Sequence, residues 1–173
     1  MRHILIILSI FLLTLPPAVY SSQSRVALVI GNGAYKEGPL RNPVNDARLM
    51  RNLLRKEGFS VTMLEKANKN ELVNAIRNFG RSLRNSDAAL FYFSGHGNQY
   101  KGLNWLIPIG ADIQRESEIE FEAVEAERVL AEMEGGSIGR VNIVIFDACR
   151  TNRTFRSFRS FNRGLSQPKS QPE

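Results

Sequence analysis

Two residue types that occur once each in the body of the chain carry its chemistry. His96 lies at the end of the apolar run Leu90–Gly97 (LFYFSGHG), and Cys149 at the end of a second run, Ile143–Arg150 (IVIFDACR). The other histidine, His3, falls in a leading segment read below as a cleaved signal, so the mature protein keeps one histidine and one cysteine. A cysteine becomes a strong nucleophile when its thiolate is favoured and a base supports it. Imidazole is the natural partner, because its proton affinity lies near neutral pH. Such a pair suits acyl transfer, with the N–H of Gly97 open to a developing oxyanion and the amide of Cys149 as a second donor. Taken singly, a lone histidine is more often structural and a lone cysteine more often a buried hydrophobe. Their matching positions at strand ends separate this pair from that background.

The same counts exclude other chemistry. One cysteine cannot form an internal disulfide. One histidine and one cysteine cannot supply the four ligands of a structural zinc site. Gly31-Asn32-Gly33 invites a dinucleotide-binding reading, but Lys36 stands where G-x-G-x-x-G needs its third glycine, and an ordinary strand-to-loop turn is expected instead.

The elements that must position the pair follow from the hydrophobic pattern. Arg25–Gly31 (RVALVIG) is continuously apolar, as expected of a strand buried on both faces. Residues 42–58 carry Val44, Ala47, Leu49, Met50, Leu53 and Leu54 at helical spacing, opened by Asn42-Pro43 and stopped by Gly58. Residues 59–64 alternate like a strand. Residues 68–83 form a second helix with Leu72, Ile76, Phe79 and Leu83 on one face, and residues 87–94 another strand. Strand, helix, strand, helix, strand argues for a parallel sheet with helices on its faces, whose sites gather at the carboxyl ends of the strands. Residues 98–108 are expected to form a hairpin turning at Lys101-Gly102, with Trp105 in the core or in a cleft wall. Residues 121–133 are expected to form one helix stopped by Gly135-Gly136, and residues 140–146 a fourth strand presenting Asp147 and Cys149.

The chain of 173 residues is 43% hydrophobic and 23% charged, values of a soluble globular domain rather than a disordered or membrane-embedded one. Met1-Arg2, the apolar run 4–15 and Pro16-Pro17 have the order of a secretory signal, too short to span a bilayer as a helix. Residues 1–21 are therefore expected to be removed, with an uncleaved membrane anchor as the alternative; either way the domain is expected outside the cytoplasm, secreted or periplasmic. Much of the net charge of +6 sits after Cys149, in Arg150, Arg153, Arg156, Arg159 and Arg163, interleaved with Phe155, Phe158 and Phe161. That segment could mimic a nucleic-acid patch, but a surface loop followed by a tail, residues 166–173, is the expectation, and nucleic acid is not expected as a partner.

Ser94-Gly95-His96-Gly97 and Asp147-Ala148-Cys149-Arg150 resemble the histidine and cysteine motifs of the caspase-like cysteine peptidases, peptidase family C14 of clan CD, and within them the bacterial metacaspase-like branch. Gly-Asn-Gly-Ala-Tyr after the first strand, residues 40–47 (LRNPVNDA) and the Gly58-Phe59 turn are similar too, so the resemblance spans residues 25–165, the large-subunit region. It implies an α/β three-layer sandwich with a mostly parallel, Rossmann-like sheet. It also implies an endopeptidase that hydrolyses peptide bonds after Arg or Lys through an acyl-enzyme. By resemblance His96 is the base or proton shuttle, Cys149 the nucleophile and Gly97 an oxyanion donor, while Asp46, Ser94 and Asp147 line the pocket for the substrate cation. Paired carboxylates facing a guanidinium are a sound physical basis for selecting Arg. No cofactor is implied; the calcium site of some metacaspases has no traceable counterpart, and calcium activation stays open. The fold normally continues into two further strands after the cysteine. Here only Arg163-Gly164-Leu165 resembles their start, so the last two strands are expected to be lacking, the fourth strand's edge to be uncovered, and another chain to be the partner that completes the sheet. The arginine-rich loop is an expected site of self-cleavage. The alternative is a truncated, catalytically weak or inactive domain serving as a binding or regulatory module.

Overall fold

The computed structural model describes residues 24–135 and 139–149, except for the side chain of Cys149. The expected signal, the arginine-rich segment and the tail lie outside the described residues.

The central sheet runs β2-β1-β3-β6, all parallel. It is built from β1 (Arg25–Gly31), β2 (Phe59–Glu65), β3 (Ala88–Tyr100) and β6 (Val141–Cys149). Alternation along each strand splits the core into two layers. Ala27, Val29, Leu90 and Tyr92 face α1 (Pro43–Lys56), where Ala47 and Leu54 are buried. Leu28, Ile30, Phe91 and Phe93 face the opposite side, covered by Leu72, Ile76 and Phe79 of α2 (Lys69–Ser82) and by Val129 and Met133 of α4 (Glu127–Glu134). Helices on both faces of a mostly parallel sheet make the three-layer α/β sandwich that the strand and helix order predicts. No helix among the described residues is long and apolar enough to cross a membrane.

Three expectations need correction. The stripe Leu49 and Leu53 of α1 is not core: these side chains are 68% and 55% exposed, because the helix seats itself on Pro43, Ala47 and Leu54, a stripe rotated away from them. The helix expected over residues 121–133 is broken. A short α3 (Ile119–Glu122) gives way at extended Ala123 to β5 (Val124–Glu125), which pairs with β4 (Leu103–Leu106) before α4 begins. Burial of Val124 beside Leu106 and the bond from Ala126 N–H to the Asn104 carbonyl outweigh the local helical preference of the acidic run. Finally, β3 and β6 do not stop before their functional residues. β3 runs on to Tyr100, because β4 folds back through Lys101-Gly102 to pair with residues 97–100, and β6 runs on to Cys149 beside it.

The loop after β1 is fixed by the middle residue of Gly-Asn-Gly. Fully buried Asn32 holds Ala67 at both ends, donating from Nδ2 to its carbonyl at 3.0 Å and accepting its N–H on Oδ1 at 2.8 Å. Its own N–H meets the Ser94 carbonyl at 2.8 Å. Asn32→Ala strands two buried backbone groups and is expected to cost about 2–4 kcal/mol, read as a lower urea midpoint with unchanged m-value.

Candidate active site

β1 ends at Gly31, opposite Ser94, so β3 projects beyond its neighbour at the carboxyl end of the parallel sheet, and His96 stands two residues past that limit. The loop that leaves β1 crosses in front of it. Tyr35 stacks against the imidazole with ring centroids 4.3 Å apart, accepts the His96 N–H at 2.9 Å and donates to the Ile107 carbonyl at 2.9 Å. On the same loop, Gly38 turns at φ 66° and presents its carbonyl 2.6 Å from His96 Nε2. A carbonyl oxygen only accepts, so Nε2 carries the proton and Nδ1 keeps the basic lone pair. Nδ1 is buried and has no hydrogen-bond partner among the described residues. Gly95 must be glycine for the loop to lie so close: a Cβ there would stand 2.7 Å from the Tyr35 hydroxyl and 2.9 Å from the Phe93 ring.

The parallel register of β3 and β6 pairs Ser94 with Asp147, Gly95 with Ala148 and His96 with Cys149. The two sequence-predicted residues, more than fifty positions apart in the chain, are thus immediate cross-strand neighbours. Gly97 follows on β3 opposite Leu106. Since the His96 carbonyl accepts from Ile107 on the β4 side, strand alternation turns the Gly97 N–H to the other edge, the side on which β6 lies.

The predicted binding residues also converge. Asp147 Oδ2 accepts from the Tyr92 hydroxyl at 3.2 Å and from Ser94 Oγ at 3.3 Å. Tyr92 and Ser94 are buried, while Asp147 is exposed. Asp46, half-buried in the first turn of α1, is close enough for its charge to act on Tyr92. The Tyr92 phenol is pushed up to about 12, by burial first and by the Asp147 charge second, with Asp46 adding to the rise and the Ser94 hydrogen bond opposing it. Asp46, Ser94 and Asp147 therefore lie around one end of the sheet with His96 two residues further along β3. Among the described residues no group of three or more His, Cys, Asp or Glu stands close enough to hold a metal ion.

Burial pushes the His96 imidazole below its ordinary value, against a smaller opposing pull from the Gly38 carbonyl, which favours the protonated ring. The native protein resists this proton, so as pH falls below 6.5 the unfolded chain takes it up first. The contribution to stability is complete above that value and is lost as pH falls toward the folded-state value. The wild type is accordingly expected to lose more stability than His96→Gln between about pH 7 and about pH 5, measured as the difference in urea midpoints.

Two parts of this site carried no distinctive sequence signal, the Gly38 carbonyl and Tyr92, while Tyr35 was visible only as the last residue of Gly-Asn-Gly-Ala-Tyr and not as a contact of the imidazole. A backbone carbonyl has no sequence identity. Tyr92 reads as one more apolar residue of a buried strand.

Comparison with known proteins agrees with the geometry. The family model described as the caspase domain of the C14 peptidases matches residues 24–172. The mucosa-associated lymphoid tissue lymphoma translocation protein 1 of Homo sapiens is 30% identical over 135 residues, 78% of this chain, and its Mus musculus homolog matches equally. The chain spans only 16% of the length of these curated relatives. Among solved structures, protein GSU0716 of Geobacter sulfurreducens superposes with a TM-score of 0.58 at 21% identity, over 73% of this chain and 50% of that one. The Drosophila initiator caspase Dronc gives 0.54 at 13% identity, over 79% and 56%. At such identities these two speak for the fold. With a family model covering all of the described residues, the chain belongs to the caspase domain family of cysteine peptidases.

Proposed function

We propose that this domain is an endopeptidase that cleaves after Arg or Lys through an acyl-enzyme, with Cys149 as nucleophile and His96 as base and proton shuttle. The observation that carries the reading is the pairing of His96 with Cys149 on adjacent strands, together with an imidazole whose Nε2–H is spent on Gly38 and whose Nδ1 is left basic. In the proposed reaction Cys149 gives its proton to His96 and attacks the scissile carbonyl. The N–H of Gly97 stabilises the oxyanion. His96 then protonates the leaving amine, and water, activated by the same ring, hydrolyses the thioester. Asp147, Asp46 and Ser94 hold the substrate cation. Their convergence near a buried tyrosine supports a basic rather than an acidic residue at the cleavage site, since an acidic one would meet like charge.

Residues 1–21 are proposed as a secretion signal, placing the domain in the periplasm or outside the cell. Further strands, from this chain or another, are proposed to pair with the edge of β6. Among the described residues that strand pairs only with β3, and its Val141 and Ile143 are 58% and 38% exposed.

The test compares hydrolysis of acyl reporters ending in Arg, Lys and Asp by the full chain, with and without calcium. Turnover of the Arg and Lys reporters with the Asp reporter silent is expected. Preference for Asp overturns the basic specificity and leaves the dyad standing; no turnover, with Cys149 labelled by a thiol-reactive acyl ketone no faster than free cysteine, overturns the enzyme.

A further inference from the structure

We propose that Tyr92 is a specificity-determining positioning residue, whose hydroxyl, with that of Ser94, locks Asp147 so that one carboxylate oxygen stays turned to the substrate cation. The inference rests on the reading of Asp46 and Asp147 as the pocket for Arg or Lys. As a core residue Tyr92 needs only its ring, packed with Ala27, Val29, Ala47, Leu54 and Leu90 against α1. Phenylalanine would serve there, so the hydroxyl is the unexplained part. It sits in a buried position at the end of the α1-facing core and reaches a carboxylate from the strand next door, at 3.2 Å. Ser94, two residues along the same strand face, reaches the same oxygen at 3.3 Å.

Two hydroxyls on Oδ2 leave Oδ1 as the acceptor for an incoming N–H, since an ionised carboxylate accepts on both oxygens and has roughly four lone-pair sites. Among the described residues Asp147 is exposed near the end of β6 and has no ion pair. Without the two donors its side chain would turn freely, and ordering it would fall to the substrate at each encounter. The lock meets that ordering cost during folding. The phenol suits the task because it remains a neutral donor at any working pH, so it never adds a third negative charge beside Asp147 and Asp46. A pre-set acceptor helps substrate and transition state alike, since the cation lies away from the reacting carbonyl. Its loss therefore belongs in KM rather than kcat.

The experiment uses the full chain in three arms. For Tyr92→Phe, KM for both Arg and Lys reporters is expected to rise about tenfold while kcat stays within about twofold. In a Cys149→Ala background, the dissociation constant of agmatine, a free guanidinium probe followed by NMR, is expected to weaken about tenfold on adding Tyr92→Phe. In Asp147→Asn, which keeps the shape of the side chain, the Tyr92 phenol is expected to titrate below its wild-type value of about 12, having lost the Asp147 charge. An unchanged KM and agmatine affinity in Tyr92→Phe overturn the lock, as does a fall in kcat at constant KM or a phenol indifferent to Asp147→Asn. Cleavage of basic reporters with a silent Tyr92→Phe rejects the lock and keeps the peptidase. Absence of cleavage with agmatine affinity falling in Tyr92→Phe rejects the peptidase and keeps the lock.

Discussion

Cys149→Ala is expected to abolish hydrolysis of the Arg reporter to the level of buffer, and His96→Ala to lower kcat by about 10⁶-fold, the size seen when the nucleophile or its base is removed from such a unit. The two losses do not multiply. A thiol without its base and a base without its thiol fail at the same step, so the double variant should be no slower than Cys149→Ala alone. The histidine variant carries a finer expectation. If His96 both takes the thiol proton and returns it to the leaving amine, His96→Ala must harm an amide reporter far more than an activated ester, whose leaving group departs without a proton. Above the thiol's ordinary value of about 8.5 the ester reaction of His96→Ala should recover in part, because solvent then removes the proton the imidazole would have taken. An ester and an amide losing equal activity at every pH would leave His96 a structural residue. Retention of Arg-reporter hydrolysis by Cys149→Ala would end the proposed mechanism altogether.

The features legible in the sequence were those written in residue type and period. Continuous apolar runs gave β1, β3 and β6. The spacing of Leu72, Ile76, Phe79 and Leu83 gave α2, whose capping box of Asn68 and Glu71 closes its first turn. The order of elements then implied a parallel sheet, and a parallel sheet requires His96 and Cys149 to lie at one end. What could not be read was which strands are neighbours and in what register. That depends on how β3 threads between β1 and β6, a long-range packing outcome with no local signature.

The errors have the same origin. Local periodicity made residues 121–133 a single helix, but pairing of Val124 beside Leu106 is a tertiary preference, and it wins over the helical preference of residues 123–126. Leu49 and Leu53 satisfy helical spacing as well as Ala47 and Leu54 do, and only the docked orientation of α1 chooses between the stripes. In the site, the acidic residues were visible as types. The groups that hold the imidazole were not, because the Gly38 carbonyl is backbone and Tyr35 acts through a hydroxyl 61 positions from the N–H it serves.

The strongest test of specificity removes charge from the pocket without changing its shape. Asp147→Asn keeps an oxygen for the Tyr92 and Ser94 hydroxyls, so the side chain stays where it is and loses only its negative charge. A hydrogen bond between a carboxylate and a substrate guanidinium is worth about 1.5–3 kcal/mol, so kcat/KM for the Arg reporter should fall by up to about 10²-fold, most of it in KM. Asp46→Asn should act in the same direction by less, since its charge reaches the site from the first turn of α1. Both carboxylates attract one cation, and each alone retains part of that attraction, so the double variant should lose more than either single one while departing from simple additivity. The control is a reporter carrying citrulline, which has nearly the shape of Arg and no charge. If the pocket works by charge, the wild-type preference for Arg over citrulline collapses in Asp147→Asn, while citrulline turnover barely moves. Raising the salt concentration should narrow the wild-type preference as well, because the exposed face of Asp147 is open to screening. Equal losses on Arg and citrulline would mean that Asp147 shapes the end of β6 rather than reading the substrate, and the acidic pocket would then have no part in specificity.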